Sequence, residues 1–277
     1  KGRYTPLWLK IQKEEIQMRN LKRALSLALA AIMLIGMMVV SACAVSYNDL
    51  TDKDQIVNKD AVSMLVSLGI IEGKPDGSYA PTENVDRAQM AKMLSVIMNK
   101  GVDNSALYQS VNSGLVDVNT NWAKGHINYC YTTGIIAGRG NGTFDPSATV
   151  TALEAAKMLL VAVGYDPKIE GFEGADWAIN VSVRADEQGI FEGFTKDLSA
   201  PLNRDDAALL IYNALDVEMI QSYTTNNYPI VYSDHRTILS DKYGVIKVQG
   251  VVVANEWASL ASDDGDAALK EGKTTIY

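Results

Sequence analysis

The feature that most constrains the fold of this chain is a motif that occurs three times, at intervals of about 55 to 65 residues. Each copy has a Gly-Ile pair, then a turn, then a proline. The Gly-Ile pairs are 69–70, 134–135 and 189–190, and the prolines are Pro81, Pro146 and Pro201. A unit of this length is too small to bury its own apolar face, so we expect three units to pack together around shared helices.

Each unit is predicted to be a helix, a loop and a second helix. The first helix carries apolar residues at spacings of three and four and ends at the glycine of the Gly-Ile pair, which suits a left-handed cap. Gly77 and Gly142 follow Asp and Asn in dipeptides typical of tight turns, so we interpret both as turn formers. In the third copy the corresponding stretch, Thr-Lys-Asp-Leu-Ser-Ala-Pro, lacks a glycine.

The second helix of each unit begins at a recognisable cap. Thr151 and Glu154 fit a capping box, in which each side chain binds the backbone amide of the other residue. The other two copies have looser versions that keep a good N-cap residue, Asp86 and Asn203.

The residue after the cap is Arg87 in the first copy and Arg204 in the third, where the second copy has Ala152. A cation at the first helical position opposes the helix dipole, so local folding does not explain it. Beside the free amides of a helix start, a guanidinium makes an anion site that can hold a carboxylate by two hydrogen bonds. The alternatives are a solvated arginine, or one paired with an acid of a neighbouring repeat.

The N-terminal part of the sequence predicts export. Residues 18–44 have a basic start, an apolar run and small residues before a cleavage site after Ala44, as a secretory signal does. A membrane-spanning helix and a lipoprotein attached at Cys43 are the alternatives. We expect residues 1–17 to be an upstream, non-native segment.

Charge and cysteine content restrict the classes of function. Residues 1–44 hold seven of the 25 Lys and Arg and two of the 33 Asp and Glu, so the remainder has a formal net charge of −13. Such a surface repels nucleic acid, and any polyanion must be bound by a local cationic pocket. Only Cys130 follows the signal segment, which excludes a disulfide within that part of the sequence and indicates a buried core residue.

The three copies resemble the S-layer homology family, whose repeat has an early Asp, a Trp-Ala on the first helix, a Gly-Ile, an Asp-Gly-x-Phe-x-Pro loop and a Thr-Arg-Ala-Glu helix start. On this resemblance we divide the chain into repeats at 45–104, 110–166 and 170–220. The resemblance implies a mainly α fold, with three helix-loop-helix repeats packed as a pseudo-threefold, three-pronged bundle. It also implies noncovalent anchoring of exported proteins to the cell envelope through secondary cell-wall polysaccharide, often through pyruvate ketals, or through peptidoglycan.

The resemblance assigns ligand-binding roles to residues besides Arg87 and Arg204. Those that occupy or lie near the family's early Asp or its Trp are Asp49, Asp117, Asp176, Trp122 and Trp177. Packing in the core remains the alternative for the tryptophans. Because the second copy lacks the arginine, we predict that it is structurally intact but a poor ligand site.

We expect residues 221–277 to be the truncated start of a β-rich domain, because their Val and Ile partly alternate with polar residues. Asp263, Asp264 and Asp266 faintly resemble a calcium loop, but the glycine is misplaced and a solvated turn is the preferred interpretation.

The sequence implies no Ser/His/Asp or Cys/His arrangement, zinc spacing or phosphate loop, so we expect no catalysis, metal or cofactor. The favoured function is an envelope anchor, with possible self-association in a surface layer. The alternatives are an anchored surface enzyme such as a polysaccharide hydrolase, or an outer-membrane protein, with its main domain beyond residue 277.

Overall fold

A computed structural model describes residues 46–224, 230–247, 252–254 and 275–276. Contacts divide the chain into Lys1–Ala44 and Val45–Tyr277, and all described residues belong to the second unit. The predicted signal segment at 18–44 and the acidic stretch from Asp263 to Asp266 lie outside the described residues.

The predicted mainly helical fold is confirmed. The described α-helices are α1 (Lys59–Ser67), α2 (Arg87–Met98), α3 (Lys124–Thr132), α4 (Ala152–Ala162), α5 (Trp177–Glu187), α6 (Arg204–Ala214) and α7 (Ile238–Tyr243). Short 3-10 turns span Tyr47–Asp49, Lys53–Gln55 and Ser105–Tyr108. Each repeat contributes two of the first six helices. None of the helices in the described ranges is both long enough and apolar enough to cross a lipid bilayer.

The first helix of each repeat ends as the sequence predicts. The glycines after α1, α3 and α5 adopt positive φ angles, of 69°, 79° and 71° for Gly69, Gly134 and Gly189. Only glycine takes this left-handed conformation without a steric penalty from Cβ. The chain therefore reverses at each of these points and enters the loop that leads to the second helix.

The repeats pack in a cyclic order. The first helix of each repeat lies against the second helix of the preceding repeat: α3 against α2, α5 against α4, and α1 against α6. The central helix α4 also contacts α2 and α6. The apolar residues of all three repeats form one continuous buried cluster. No repeat is therefore complete without its neighbours.

The backbone just before the second helices closes the same cycle. Val85 N–H donates to Leu202 O at 2.9 Å, Leu202 N–H to Val150 O at 2.8 Å, and Val150 N–H to Val85 O at 2.9 Å. All three side chains are buried. Isolated β-bridges flank this ring and join Asp86 to Thr149, Thr151 to Pro201, and Asn203 to Asn84. The ring places the start of every second helix beside the loop of the next repeat.

The segment after the repeats does not divide from them at residue 221. Strands β1 (Glu218–Thr224) and β2 (Ile230–Thr237) pair antiparallel, as do β3 (Val252–Ala254) and β4 (Thr275–Ile276). Helix α7 buries Ile238 and Leu239 in the core of the repeats, and Tyr243 Oη donates to Ile97 O at 3.2 Å. The expected β-rich domain is thus represented, within the described residues, by two strand pairs and a helix packed on the repeats.

Candidate functional site

Arg87 joins the first repeat to the second. Its Nε donates to Phe144 O at 2.8 Å and its Nη2 to Ala137 O at 3.2 Å, while the guanidinium carbon lies 4.4 Å from the Phe144 ring centroid. Glu154 Oε1 lies 3.6 Å from Nη1. The side chain is only 4% exposed, and burial lowers its pKa to about 10. The arginine thus takes part in a contact between repeats, with an aromatic ring, two carbonyls and a carboxylate as partners.

Arg204 makes the same contact from the third repeat to the first. Its Nε donates to Tyr79 O at 2.7 Å and its Nη2 to Glu72 O at 3.2 Å, with the guanidinium carbon 4.8 Å from the Tyr79 ring centroid. Tyr79 Oη donates in return to Arg204 O at 2.7 Å. Tyr79 and Phe144 lie two residues after the turn glycines Gly77 and Gly142 of the first and second repeats. Each arginine therefore contacts the loop of the next repeat and not the loop of its own repeat.

The same relationship accounts for Ala152. In the ring, Leu153 N–H donates to Leu198 O as Ala88 N–H donates to Pro146 O, so Leu198 corresponds to Pro146. The sequence alignment on Pro201 is therefore wrong by three residues. The residue that corresponds to Phe144 is then Lys196, whose ammonium pairs with Asp206. An arginine at position 152 would face a lysine where the other two arginines have an aromatic ring, and the buried Ala152 avoids that repulsion.

The cyclic packing leaves a groove between consecutive repeats. Groove 2–3, between the second and third repeats, has a volume of about 450 Å³. Its residues come from the loop and second helix of repeat 2, the start of repeat 3, and Arg87 of repeat 1. The charged and aromatic ones are Arg87, Arg139, Glu154, Lys157, Phe172, Glu173 and Trp177.

Lys157 and Trp177 form the centre of groove 2–3. Lys157 Nζ lies 5.4 Å from the Trp177 ring centroid, within range of a cation-π interaction. Burial lowers the pKa of Lys157. Glu154 Oε1 accepts a hydrogen bond from Arg139 Nη1 at 2.8 Å, so this carboxylate already holds one cation of the groove and lies close to Arg87.

Groove 1–2, between the first and second repeats, repeats this arrangement with a volume of about 260 Å³. Its charged and aromatic residues are Glu72, Lys74, Lys92, Trp122 and Arg204. Lys92 corresponds to Lys157, Trp122 to Trp177, and Arg204 to Arg87. Gln89 stands in place of Glu154, and Lys92 Nζ donates to Glu72 Oε2 at 3.1 Å.

The corresponding surface between the third and first repeats has lost these groups. Val57 stands twelve residues before Gly69, as Trp122 and Trp177 stand before Gly134 and Gly189. Leu209 takes the place of the groove lysine, and Ala152 that of the arginine. Val57 and Leu209 line a cavity of about 440 Å³ here, together with Lys59 and Asp60, and Val57 is 81% exposed. The missing arginine at position 152 therefore affects groove 3–1 and not the second repeat's own loop, which lines groove 2–3.

Comparison with known proteins gives the family. A model of the S-layer homology domain matches residues 46–91 and 116–156, within the first two repeats. A cell surface protein of Thermoanaerobacter kivui is 27% identical over 261 residues, which are 94% of this chain and 31% of that protein. The chain therefore contains S-layer homology domains in its first two repeats.

Two further relatives share parts of the S-layer homology region. An S-layer protein of Bacillus licheniformis is 33% identical over 113 residues, which are 41% of this chain and 12% of that protein. An exoglucanase of Acetivibrio thermocellus is 28% identical over 188 residues, which are 62% of this chain and 16% of that protein. The chain thus spans about a third or less of the length of these relatives.

The early aspartate of the S-layer homology repeat supports its own loop. Asp117 Oδ1 accepts from Phe144 N–H at 2.9 Å and its Oδ2 from Asp145 N–H at 2.7 Å. Asp145 has a positive φ of 62°, so these bonds hold a strained turn. Burial tends to raise the pKa of Asp117, but the two amides outweigh it and the net shift is downward.

The counterpart of Asp117 in the first repeat is Asp52, which the sequence comparison missed. Its carboxylate accepts from Tyr79 N–H at 2.7 Å and Ala80 N–H at 2.8 Å, and Ala80 again has a positive φ. Asp49 lies three residues earlier and closes a capping box with Ser46. Asp176 is the residue before α5 and makes no side-chain cap bond. The spacing from Asp to the loop aromatic, 27 residues in both repeats, is the signal that identifies Asp52.

The remaining predicted residues have clear positions. Trp122 is 58% exposed and lines groove 1–2, which rules out core packing for its ring, whereas Trp177 is half-buried. Gly77 and Gly142 adopt φ angles of 81° and 82°, as turn formers require. Thr151 Oγ1 accepts from Glu154 N–H, and Glu154 Oε2 accepts from Thr151 N–H, both at 3.2 Å.

Sequence comparison also missed the groove lysines, Lys92 and Lys157. Each occurs in an Ala-Lys-Met triplet on the second helix, where the third repeat has Ala-Leu-Leu. The signal that could have identified them is the triplet shared by the first two repeats. It is absent from the third repeat, whose second helix lines the groove without the lysine and tryptophan.

One cluster, in which the acid is exposed and the other two residues are buried, contains the residue types of a hydrolytic triad. His126 Nδ1 lies 2.6 Å from Ser95 Oγ, and its Nε2 lies 3.6 Å from Asp103. Ser95 and His126 are both buried, and Ser95 Oγ donates to Lys92 O at 2.9 Å. A substrate has no access to this serine, so the cluster supports the packing of α2 against α3. In the described ranges, no group of three or more His, Cys, Asp and Glu side chains could hold a metal ion.

Proposed function

We propose that this chain anchors an exported protein to the cell envelope by binding an anionic secondary cell-wall polysaccharide in grooves 1–2 and 2–3. The observation that carries the proposal is the recurrence of one set of side chains in both grooves. Each set contains an arginine from one repeat, a lysine from the next and a tryptophan from the third. A structural role does not require a lysine and a tryptophan at these positions, because groove 3–1 packs with Leu209 and Val57 in their places.

The charge distribution supports an anionic ligand. The part of the sequence after residue 44 is strongly acidic, yet each of the two grooves gathers three Lys and Arg side chains. A focused cationic site on an acidic surface selects for a ligand that is anionic locally and repels polyanions in general. A saccharide with a carboxylate, such as a pyruvate ketal, satisfies both conditions. A tryptophan ring adds a flat apolar surface against which a sugar ring can pack.

Within this proposal the residues have different roles. The Nε and Nη2 groups of Arg87 and Arg204 already bind backbone carbonyls, so these arginines contribute positive charge and fix the groove wall. Lys157 and Lys92 supply the cation that meets the carboxylate, and Trp177 and Trp122 the stacking surface. Asp117 and Asp52 hold the loops, and Asp49 and Asp176 take no direct part in binding.

The proposal includes a three-pronged arrangement of the repeats, export through the predicted signal segment, and no catalytic activity of the chain itself. Self-association in a surface layer is compatible with this proposal. The relatives named as a cell surface protein and an S-layer protein also support it. The alternative, an anchored surface enzyme, is favoured by the relative named as an exoglucanase, most of which lies outside the match. The same anchoring role for this segment fits both.

Cosedimentation of residues 45–277 with purified cell-wall sacculi tests the proposal, before and after acid extraction of the secondary polysaccharide. We expect binding that is lost after extraction. Binding that persists would assign peptidoglycan as the ligand, and absence of binding from the start would make the repeats a structural bundle only.

Two groove variants, Trp122→Ala and Lys157→Gln, identify the site in the same assay. Trp122 is largely exposed and Lys157 half-buried, so neither should unfold the protein. Lys168→Gln is the matched control, because Lys168 is exposed and lies outside both grooves. We expect each groove variant to lower affinity several-fold and the control to leave it unchanged.

A further inference from the structure

The loops of the first two repeats contain a matched pair of turns that differ in one functional group. In repeat 1, Asp76 Oδ1 accepts from Ser78 N–H at 2.9 Å and from Ser78 Oγ at 2.7 Å. In repeat 2, Asn141 Oδ1 accepts from Thr143 N–H at 3.1 Å and from Thr143 Oγ1 at 2.6 Å. A carboxylate and an amide therefore occupy the same position with the same partners.

Asn141 precedes Gly142 in the one Asn-Gly dipeptide of the sequence. Both residues are exposed, and the space beside the Gly142 Cα is open. Among the described hydrogen bonds none engages Gly142 N–H, whereas the corresponding Gly77 N–H donates to Lys74 O at 2.9 Å. Gly77 is also more enclosed, because its Cα faces the Thr51 side chain. The Gly142 amide is thus free to react where the Gly77 amide is held.

We propose that Asn141 is a site of spontaneous deamidation in the folded protein. Gly142 N loses its proton to solvent base and attacks Asn141 Cγ, forming a C–N bond in a five-membered succinimide. The bond from Cγ to Nδ2 breaks, and the nitrogen leaves as ammonia after taking up protons from water. Hydroxyl groups that donate to Oδ1, here Thr143 Oγ1, polarise this carbonyl toward attack.

Water then opens the succinimide at one of its two carbonyls. Opening at Cγ gives aspartate, and opening at the main-chain carbonyl gives isoaspartate, so the net reaction consumes one water and releases one ammonia. The aspartate product has a ready conformation, because Asp76 shows that a carboxylate fits this turn with the same two donors. The isoaspartate product adds a methylene to the backbone and disturbs the hydrogen bond from Arg139 N–H to Thr143 O at 2.8 Å.

The modified loop borders groove 2–3, since Arg139 and Gly140 line that groove. Either product adds one negative charge beside a site that we propose to bind an anion. We therefore expect the affinity for the ligand to fall as the protein ages. This expectation rests on the proposed function, whereas the modification itself does not. The two can fail separately, because the first is measured by binding and the second by mass.

Peptide mapping by mass spectrometry tests the proposal, on residues 45–277 incubated at neutral and mildly alkaline pH and digested at acidic pH. We expect the amide-to-acid mass increase at Asn141 to accumulate faster at the higher pH, several-fold faster than at the Asn-Ser pairs Asn104-Ser105 and Asn112-Ser113 of the same sample. An isoaspartate-specific methyltransferase should label the same peptide.

The variant Asp76→Asn is the matched control, because it creates a second Asn-Gly dipeptide in the turn whose glycine amide is held. We expect this new site to react several-fold more slowly than Asn141 in the folded protein and at an equal rate in denaturant. A folded Asn141 that stays unmodified while the denatured chain reacts would overturn the proposal. Equal rates at the two folded sites would overturn the role assigned to the free amide.

Discussion

The guanidinium of Arg87 lies over the ring of Phe144, although the two residues belong to different repeats. Arg204 and Tyr79 repeat the contact across another boundary of the ring. At the third boundary the aromatic is replaced by Lys196 and the arginine by Ala152. Both members of the pair are therefore present at two boundaries and both absent at the third, as expected if each is useful only with the other.

Replacement of Arg87 by alanine should destabilise the fold. It leaves the carbonyls of Phe144 and Ala137 without their donors and removes the cation-π contact, so we expect the free energy of unfolding to fall by about 2 to 4 kcal/mol. Arg87→Lys should recover little of this, because a single ammonium cannot replace the planar fork. Urea denaturation followed by circular dichroism measures both. If Arg87→Ala unfolds at the same urea concentration as Lys168→Ala, the contact contributes nothing.

Restoring an arginine at position 152 should help only together with a restored aromatic. Ala152 is fully buried, so Ala152→Arg alone should cost about 1 to 3 kcal/mol through overpacking and repulsion from Lys196. Lys196→Phe should reverse part of that cost in the double variant, although it also removes the pairing with Asp206. A double-mutant cycle by thermal unfolding measures the coupling. Additive effects would contradict the pairing between these positions.

The loop aspartates should matter more than Asp49. In Asp52→Asn and Asp117→Asn, an NH₂ group replaces one of the two carboxylate oxygens that accept hydrogen bonds from backbone amides. We therefore expect each variant to lower the free energy of unfolding by about 1 to 3 kcal/mol. Asp49→Asn alters only the cap of an exposed 3-10 turn and should cost about 1 kcal/mol or less. Chemical denaturation of the three variants gives the order. If Asp49→Asn destabilises the protein more than Asp52→Asn, then Asp49 and not Asp52 is the early aspartate of the first repeat.

His126 should make the fold sensitive to mild acid. Burial lowers its pKa below the ordinary value of 6.5, in spite of Asp103 and with support from Lys92. The unfolded chain then binds the proton more readily than the fold does, so stability falls as the pH drops below about 6.5 and is restored above it. The pKa of Asp103 is lowered from 3.8, so protonation of this carboxylate affects stability only at a pH below the range in which His126 titrates.

Unfolding free energies between pH 7.5 and pH 5 measure this effect, at pH values set around the ordinary histidine pKa of about 6.5. His126→Gln should flatten the dependence, because it removes the buried imidazole that resists protonation. An unchanged slope in His126→Gln would assign the acid sensitivity to another group.

The sequence predicts local structure well wherever a residue acts on its own neighbours. The glycines that end the first helices and the caps Asp86, Thr151 and Asn203 depend on hydrogen bonds within a few residues, and the structure has them at those positions. The third repeat was misaligned by three residues because its loop lacks both the glycine and the aromatic, which left Pro201 as the only landmark. Hydrogen bonds of the ring show that Leu198 has that position.

The partners of the arginines could not be predicted, because a repeat pattern does not say which loop faces which helix. From the sequence we predict the poor site in the second copy, which lacks the arginine, whereas the cyclic packing places Arg87 of the first repeat in groove 2–3. For the same reason the consequence of Ala152 appears at groove 3–1. The packing of α7 on the core was also missed, since Ile238 and Leu239 have no repeat counterpart to compare with.

The closed ring of backbone bonds makes the triplet, and not the single repeat, the smallest unit whose backbone bonds are complete. Each charged groove draws on three separate stretches of the gene, so duplication of one repeat supplies only part of a new site. Conversely, a substitution that silences one groove leaves the other two boundaries intact. A chain of this design can thus lose a site by point mutation yet gains one only through coordinated changes in distant codons.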